Sequence, residues 1–183
     1  MSKDKNYYAL AFICEDKPGI VMEVSRILLS NNFNIEDSSS TLLEGIFSMI
    51  LIVSSNDILS PLQIKKSFAS LVKNLGISIS VRKINNLQRD NIGDSSNTYL
   101  ISIYGSDKPG IVYNITKVLA QKNINIIDLQ TKLTGEKSNP VYVMLLEGLL
   151  PFGANEDWKK ELYDISKQLG IDVNIRPLDS YEM

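Results

Sequence analysis

Six residues occur twice in this chain in the same order. Asp16-Lys17-Pro18-Gly19-Ile20-Val21 returns 91 residues later as Asp107-Lys108-Pro109-Gly110-Ile111-Val112, and the correspondence continues without a gap. Leu28 aligns with Leu119, Asn32 with Asn123, Asn34-Ile35 with Asn125-Ile126, Asp37 with Asp128 and Leu42 with Leu133. Self-similarity at a fixed displacement that consumes a 183-residue chain in two steps means two copies of one small domain. Each copy must complete its own core near the lower size limit for independent folding.

Each copy opens on a strand, residues 7–14 and 98–105, in which Tyr8, Leu10 and Phe12 match Tyr99, Ile101 and Ile103. A helix follows. Ile20, Val21, Val24, Ile27 and Leu28, with Ile111, Val112, Ile115, Val118 and Leu119 in the second copy, mark one apolar helical face. Pro18 and Pro109 suit a first helical turn, where a missing N–H costs nothing. Beyond Asn34 and Asn125 the pattern becomes strand-like. Residues 35–43 and 46–53 are separated by Glu44-Gly45, a tight hairpin signal, whereas residues 134–140 of the second copy predict a longer turn.

A second helix begins at Ser60-Pro61 and carries Ile64, Phe68, Leu71, Val72 and Leu75 on one face before Gly76; its counterpart carries Trp158, Leu162, Ile165 and Leu169 before Gly170. Closing strands alternate, Ile77-Ile79-Val81 and Ile171-Val173-Ile175. The expected fold is α+β: two tandem βαββαβ ferredoxin-like domains, each a four-stranded antiparallel sheet with two helices on one face. The domains are expected at residues 1–84 and 98–183, joined by a polar linker at 85–97 that contains Gly93-Asp94-Ser95-Ser96.

Composition narrows the function. Nineteen Lys and Arg against 21 Asp and Glu give a formal net charge of −2, with no general attraction to phosphate backbones or anionic lipid. Histidine is absent, which removes the commonest general base and metal ligand, and the single cysteine, Cys14, excludes CxxC sites and an intramolecular disulfide. Neither a metal nor another cofactor is expected. The N-terminus leads into a strand rather than a signal sequence, and no apolar run reaches membrane-spanning length, so a cytoplasmic protein is the expectation.

The strand-to-helix junction Asp-Lys-Pro-Gly-Ile-Val, an amphipathic helix, and Asn-Ile-x-Asp opening the next strand together resemble the ACT domain, a regulatory module that binds amino acids. Two such domains without an attached enzyme resemble the family of the glycine cleavage system transcriptional repressor. The resemblance implies amino-acid binding through the junction loop and the asparagine, at the interface between paired domains. It also implies output through a transcription factor or metabolic enzyme rather than direct binding to nucleic acid or membrane. A homodimer is compatible with it.

The junction residues suit this chemistry. Gly19, Ile20 and Val21 offer backbone N–H groups at a helix N-terminus, where the helix dipole favours a carboxylate, and glycine permits close approach. Asp16 and the side-chain oxygen of Asn34 are candidates for the α-ammonium, and Ile35 beside Asn34 is a further candidate ligand-binding residue. In the second copy the same roles fall to Asp107, Gly110, Ile111, Val112, Asn125 and Ile126. A carboxylate in the loop disfavours acidic ligands unless Lys17 or Lys108 offsets it.

The plainer alternative makes Asp16 and Asp107 helix N-caps, the glycines turn formers and the asparagines local hydrogen-bonding residues. Asp37, Asp128, Arg82 and Arg176 read as solvated strand residues, Cys14 as a small buried thiol and Tyr7-Tyr8 as sheet packing. Two rival functions share this fold. One is a structural pairing module without a ligand. The other is RNA binding, against which the strands Phe47–Ile52 and Val141–Leu145 lack the Lys/Arg-Gly-Phe pattern.

Overall fold

The computed structural model describes residues 5–85, 97–136 and 139–178. The chain divides into two compact units, Met1–Gln88 and Arg89–Met183. Most of the expected linker, residues 86–96, lies outside the described residues.

The first unit runs β1 (Asn6–Glu15), α1 (Ile20–Ser30), β2 (Asn34–Leu43), β3 (Ile46–Ser55), α2 (Pro61–Ser67), α3 (Ala69–Leu75) and β4 (Ser78–Ile84). The second runs β5 (Thr98–Ser106), α4 (Ile111–Gln121), β6 (Asn125–Glu136), β7 (Asn139–Leu149), α5 (Asp157–Leu169) and β8 (Ile171–Pro177). Their antiparallel sheets have the orders β2-β3-β1-β4 and β6-β7-β5-β8. This is the tandem ferredoxin-like arrangement expected from the alternating elements.

Alternation decides which sheet face is covered. Tyr8, Leu10, Phe12 and Cys14 of β1 are buried together with Met49, Leu51 and Val53 of β3, while the intervening residues lie on the other face. Ile20, Val24, Ile27 and Leu28 of α1 close over the covered face, as Ile111, Ile115, Val118 and Leu119 of α4 do in the second unit. Tyr8 keeps its polar end satisfied in this core. Its hydroxyl donates to the Leu59 carbonyl (3.0 Å) and accepts from the Leu59 N–H (2.9 Å), pinning the segment that enters α2.

Four local expectations are refined or corrected. Pro18 and Pro109 precede the helices rather than occupying their first turns, because Gly19 and Gly110 at φ 94° and 95° form the N-caps. The helix that starts at Ser60 does so with a complete capping box: the Gln63 N–H donates to the Ser60 hydroxyl and the Ser60 N–H to the Gln63 side chain. That helix is divided at Phe68, whose N–H donates to Lys65 in a tightened turn while its ring packs on Phe12 at 5.2 Å between centroids. In the second unit the longer turn expected at 134–140 is strand at its described residues, where Gly135 pairs with Pro140 and Glu136 with Asn139; residues 137–138 lie outside the described residues. The first hairpin turns at Glu44 and Gly45, both at positive φ, as a two-residue turn of matching twist requires.

Candidate functional site

The loop between β1 and α1 is built by its glycine. At φ 94° Gly19 occupies the left-handed region, and its carbonyl accepts the first helical hydrogen bond from Glu23 (2.9 Å). Gly110 does the same for Asn114 at 3.0 Å. No side chain caps either helix, so Asp16 and Asp107 are not N-caps, and the first-turn N–H groups remain available to an acceptor. Ile20 and Ile111 are buried and contribute only backbone at the surface; Val21 and Val112 are exposed and can wall a ligand. Asp16 is exposed at the loop entrance, where its own N–H donates to Gly45 (2.8 Å) and ties the loop to the β2–β3 hairpin.

Asp16, Lys17, Gly19, Ile20, Val21 and Met22 surround an open hollow of about 470 Å³, with Phe47 of β3 completing its wall. Met22 and Phe47 escaped the sequence reading of the site. Alternation through Phe47, Met49, Leu51 and Val53 places Phe47 on the helix-covered face, a signal that becomes specific only once β3 is known to end beside the loop. In the second unit Lys108 is committed elsewhere, its ammonium donating to the Leu169 carbonyl at the C-terminus of α5 (2.9 Å). Tyr142 of β7 stands opposite Gly105 as Phe47 stands opposite Cys14. Burial pushes its phenol above the ordinary pKa of 10.0, a hydrogen bond with Thr131 acts against this, and the Asp107 charge adds to it. Cys14 is likewise raised, chiefly by burial and then by Asp16, against the opposing influence of Lys17.

The asparagines lie elsewhere in each unit. Asn34 pairs with Ser54, which faces Tyr7 near the start of β1, whereas the loop leaves β1 beyond Glu15, in the row of Ile46 and Leu43. Eight strand steps separate these rows, roughly 25 Å. Asn125, facing Leu149 and hence Thr98, is equally distant from the Asp107 loop. The reason is topological: α1 returns the chain along the sheet, so β2 begins at the end from which β1 started. Asp16 and Asn34 therefore do not meet within one domain, nor do Asp107 and Asn125. Ile35 and Ile126 travel with the asparagines.

Asn34 enters a polar knot instead. Glu36, inserted at the bulge between Ile35 and Asp37, accepts hydrogen bonds at one carboxylate oxygen from Ser54 Oγ (2.6 Å), Asn34 Nδ2 (3.1 Å) and Lys5 Nζ (3.0 Å). Asp37, Asp128, Arg82 and Arg176 are exposed. Among the described residues no group of three or more His, Cys, Asp or Glu is placed to hold a metal ion, and no helix is long and apolar enough to cross a membrane.

Residues 10–82 and 97–176 each match the ACT domain. The chain belongs to the ACT-domain family. A UPF0237 protein of Clostridium perfringens is 40% identical over 81 residues, which make up 42% of this ACT protein and 90% of that relative. One from Methanococcus maripaludis is 37% identical over 71 residues, 38% of this chain and 79% of that relative. In both, a stretch shorter than half of the tandem chain accounts for most of the relative. Among solved structures, an unknown protein from Galdieria sulphuraria superposes with a TM-score of 0.81 at 25% identity, covering 96% of this chain and 100% of that one. A candidate glycine cleavage system transcriptional repressor gives 0.70 at 18% identity, covering 96% and 99%; at that identity the likeness is one of fold. ACT domains serve regulation by small molecules, and the tandem fold is the part of that description seen in this chain.

Proposed function

We propose that this ACT protein is a non-enzymatic sensor that binds a small amino acid at its glycine-opened loops and acts through contact with a transcription factor or metabolic enzyme. The observation that carries the reading is the duplicated helix N-terminus, left without a side-chain cap and, in the first unit, opening on a hollow. Such a terminus supplies aligned N–H groups and a favourable dipole for a ligand carboxylate. Asp16 stands at the rim to meet the ammonium. Catalysis has little support, since the chain has no histidine and its one thiol is buried with a raised pKa.

The asparagines enter this proposal in a particular way. Each β2-type strand is a sheet edge, and its start lies at the end opposite the loop. Antiparallel pairing of that edge with the same edge of a second copy of the chain would carry Asn34 of one copy towards the Asp16 loop of the other. A dimer would thus complete a shell that one domain cannot.

Isothermal titration of the full chain with each of the twenty amino acids at millimolar concentration tests the sensor reading. At least one is expected to bind saturably and to raise the apparent unfolding temperature. Absence of heat with every amino acid would leave a structural pairing module. Where binding is seen, loss of a contact to a charged group costs roughly 1.5–3 kcal/mol, so Asn34→Ala or Asn125→Ala should weaken it about tenfold or more. Unchanged affinity in the double variant would return the asparagines to a structural role.

A further inference from the structure

We infer that the two loops are unequal sites, the first accepting an amino acid with an apolar side chain and the second one whose side chain carries a hydrogen-bonding group. This rests on the amino-acid binding proposed above and adds to it the class of ligand at each loop.

The loop sequences are identical, so any difference must come from the walls. In the first unit the walls are Met22 and Phe47. Their counterparts in the second are both tyrosines. Tyr113 occupies the position of Met22 one turn into the helix, and Tyr142 the strand position of Phe47. The sequence repeat hides the second pair, because β6 and β7 are longer than β2 and β3 and the simple displacement of the repeat fails beyond the hairpin.

Charge differs as well. Lys17 lines the first hollow beside Asp16, so that site presents a carboxylate and an ammonium together. Lys108 places its ammonium on the Leu169 carbonyl, which commits it to capping α5. Tyr142, set opposite Gly105 two residues before Asp107, brings a phenol that is protonated at neutral pH as any tyrosine is, a hydrogen-bond donor as well as an acceptor. A half-buried hydroxyl discriminates strongly against a ligand that cannot bond to it, whereas an apolar wall rewards contact area and tolerates little else.

The test is calorimetry on the full chain with leucine and methionine as apolar probes and serine and threonine as hydroxylated ones. Tyr142→Phe is expected to weaken serine and threonine binding about tenfold, the worth of one good hydrogen bond, and to leave leucine and methionine unchanged. Phe47→Tyr should weaken the apolar probes several-fold and spare the hydroxylated ones. Thr131→Val, which removes a hydrogen-bond partner of the phenol, should shift serine and threonine in the same direction as Tyr142→Phe but less. Far-UV circular dichroism and Trp158 emission check that each variant is folded. If both exchanges leave selectivity within twofold, or move both probe classes equally, the sites are equivalent and the inference is wrong while the sensor reading stands. Failure of every amino acid to bind removes both.

Discussion

Gly19 and Gly110 are the residues on which the loops turn, and the reason is conformational rather than spatial. A Cβ built on Gly19 would meet nothing within 4 Å, yet φ 94° lies where side-chain-bearing residues are strained. Gly19→Ala is therefore expected to cost about 1–2 kcal/mol of stability in denaturant unfolding without creating a clash, and to weaken whatever the loop binds. Gly110→Ala should cost at least as much, since its Cβ would also stand 3.3 Å from the Asn114 amide.

Cys14 gives a prediction with a definite sign. Its folded pKa is raised above the ordinary thiol value of 9.0, so the native state holds its proton where the unfolded chain has released it. The contribution is fully present below the unfolded pKa and is lost as pH rises through the folded one. Alkylation by iodoacetamide at pH 8–9 should accordingly be slow in the native protein and rise sharply on unfolding. A native rate equal to that of a free thiol would contradict the burial. The loop residues were legible in the sequence because a six-residue identity repeated in register marks a shared constraint. Lys108's commitment to Leu169 was not legible, because it joins positions 61 apart through the close of another helix.

Apolar spacing located the helices and strands with little ambiguity, and the errors fell where backbone geometry overrides spacing. Phe68 has the periodicity of a helix interior, yet its place against Phe12 accompanies a tightened turn that separates α2 from α3. Residues 134–140 have the composition of a turn, yet pairing of β6 with β7 reaches Gly135 and Pro140, where β7 has not yet begun to pair with β5. The distance from loop to asparagine was legible only from strand order, since nothing local distinguishes the two ends of β2. At this scale α5 offers a clean measurement. Trp158 is the chain's single tryptophan, is 1% exposed, and packs edge-on against Tyr99. Leu162→Ala, one turn further along the same buried face, should destabilise the second unit by about 2–5 kcal/mol. The check is the denaturant midpoint of Trp158 emission; an unmoved midpoint would show that this helix face does not carry the core.

For the whole molecule, the balance of 19 basic and 21 acidic residues supplies no general attraction to DNA, which suits the proposed output through a protein partner. The purified chain should give no specific mobility shift with promoter DNA, and a pull-down of its protein partner should change when the bound amino acid is added, since linkage is reciprocal. A specific shift by the protein alone would overturn the partner model. Duplication supplies two copies of one loop, but the copies are anchored differently. The first is tethered through the Asp16 N–H to the tip of the β2–β3 hairpin, and in the second Lys108 grips the last turn of α5. A ligand that displaced the first loop would load a hairpin through that bond, whereas one that displaced the second would load a helix end. Identical handles thus work different levers, and a disturbance of one loop need not produce the same movement as a disturbance of the other.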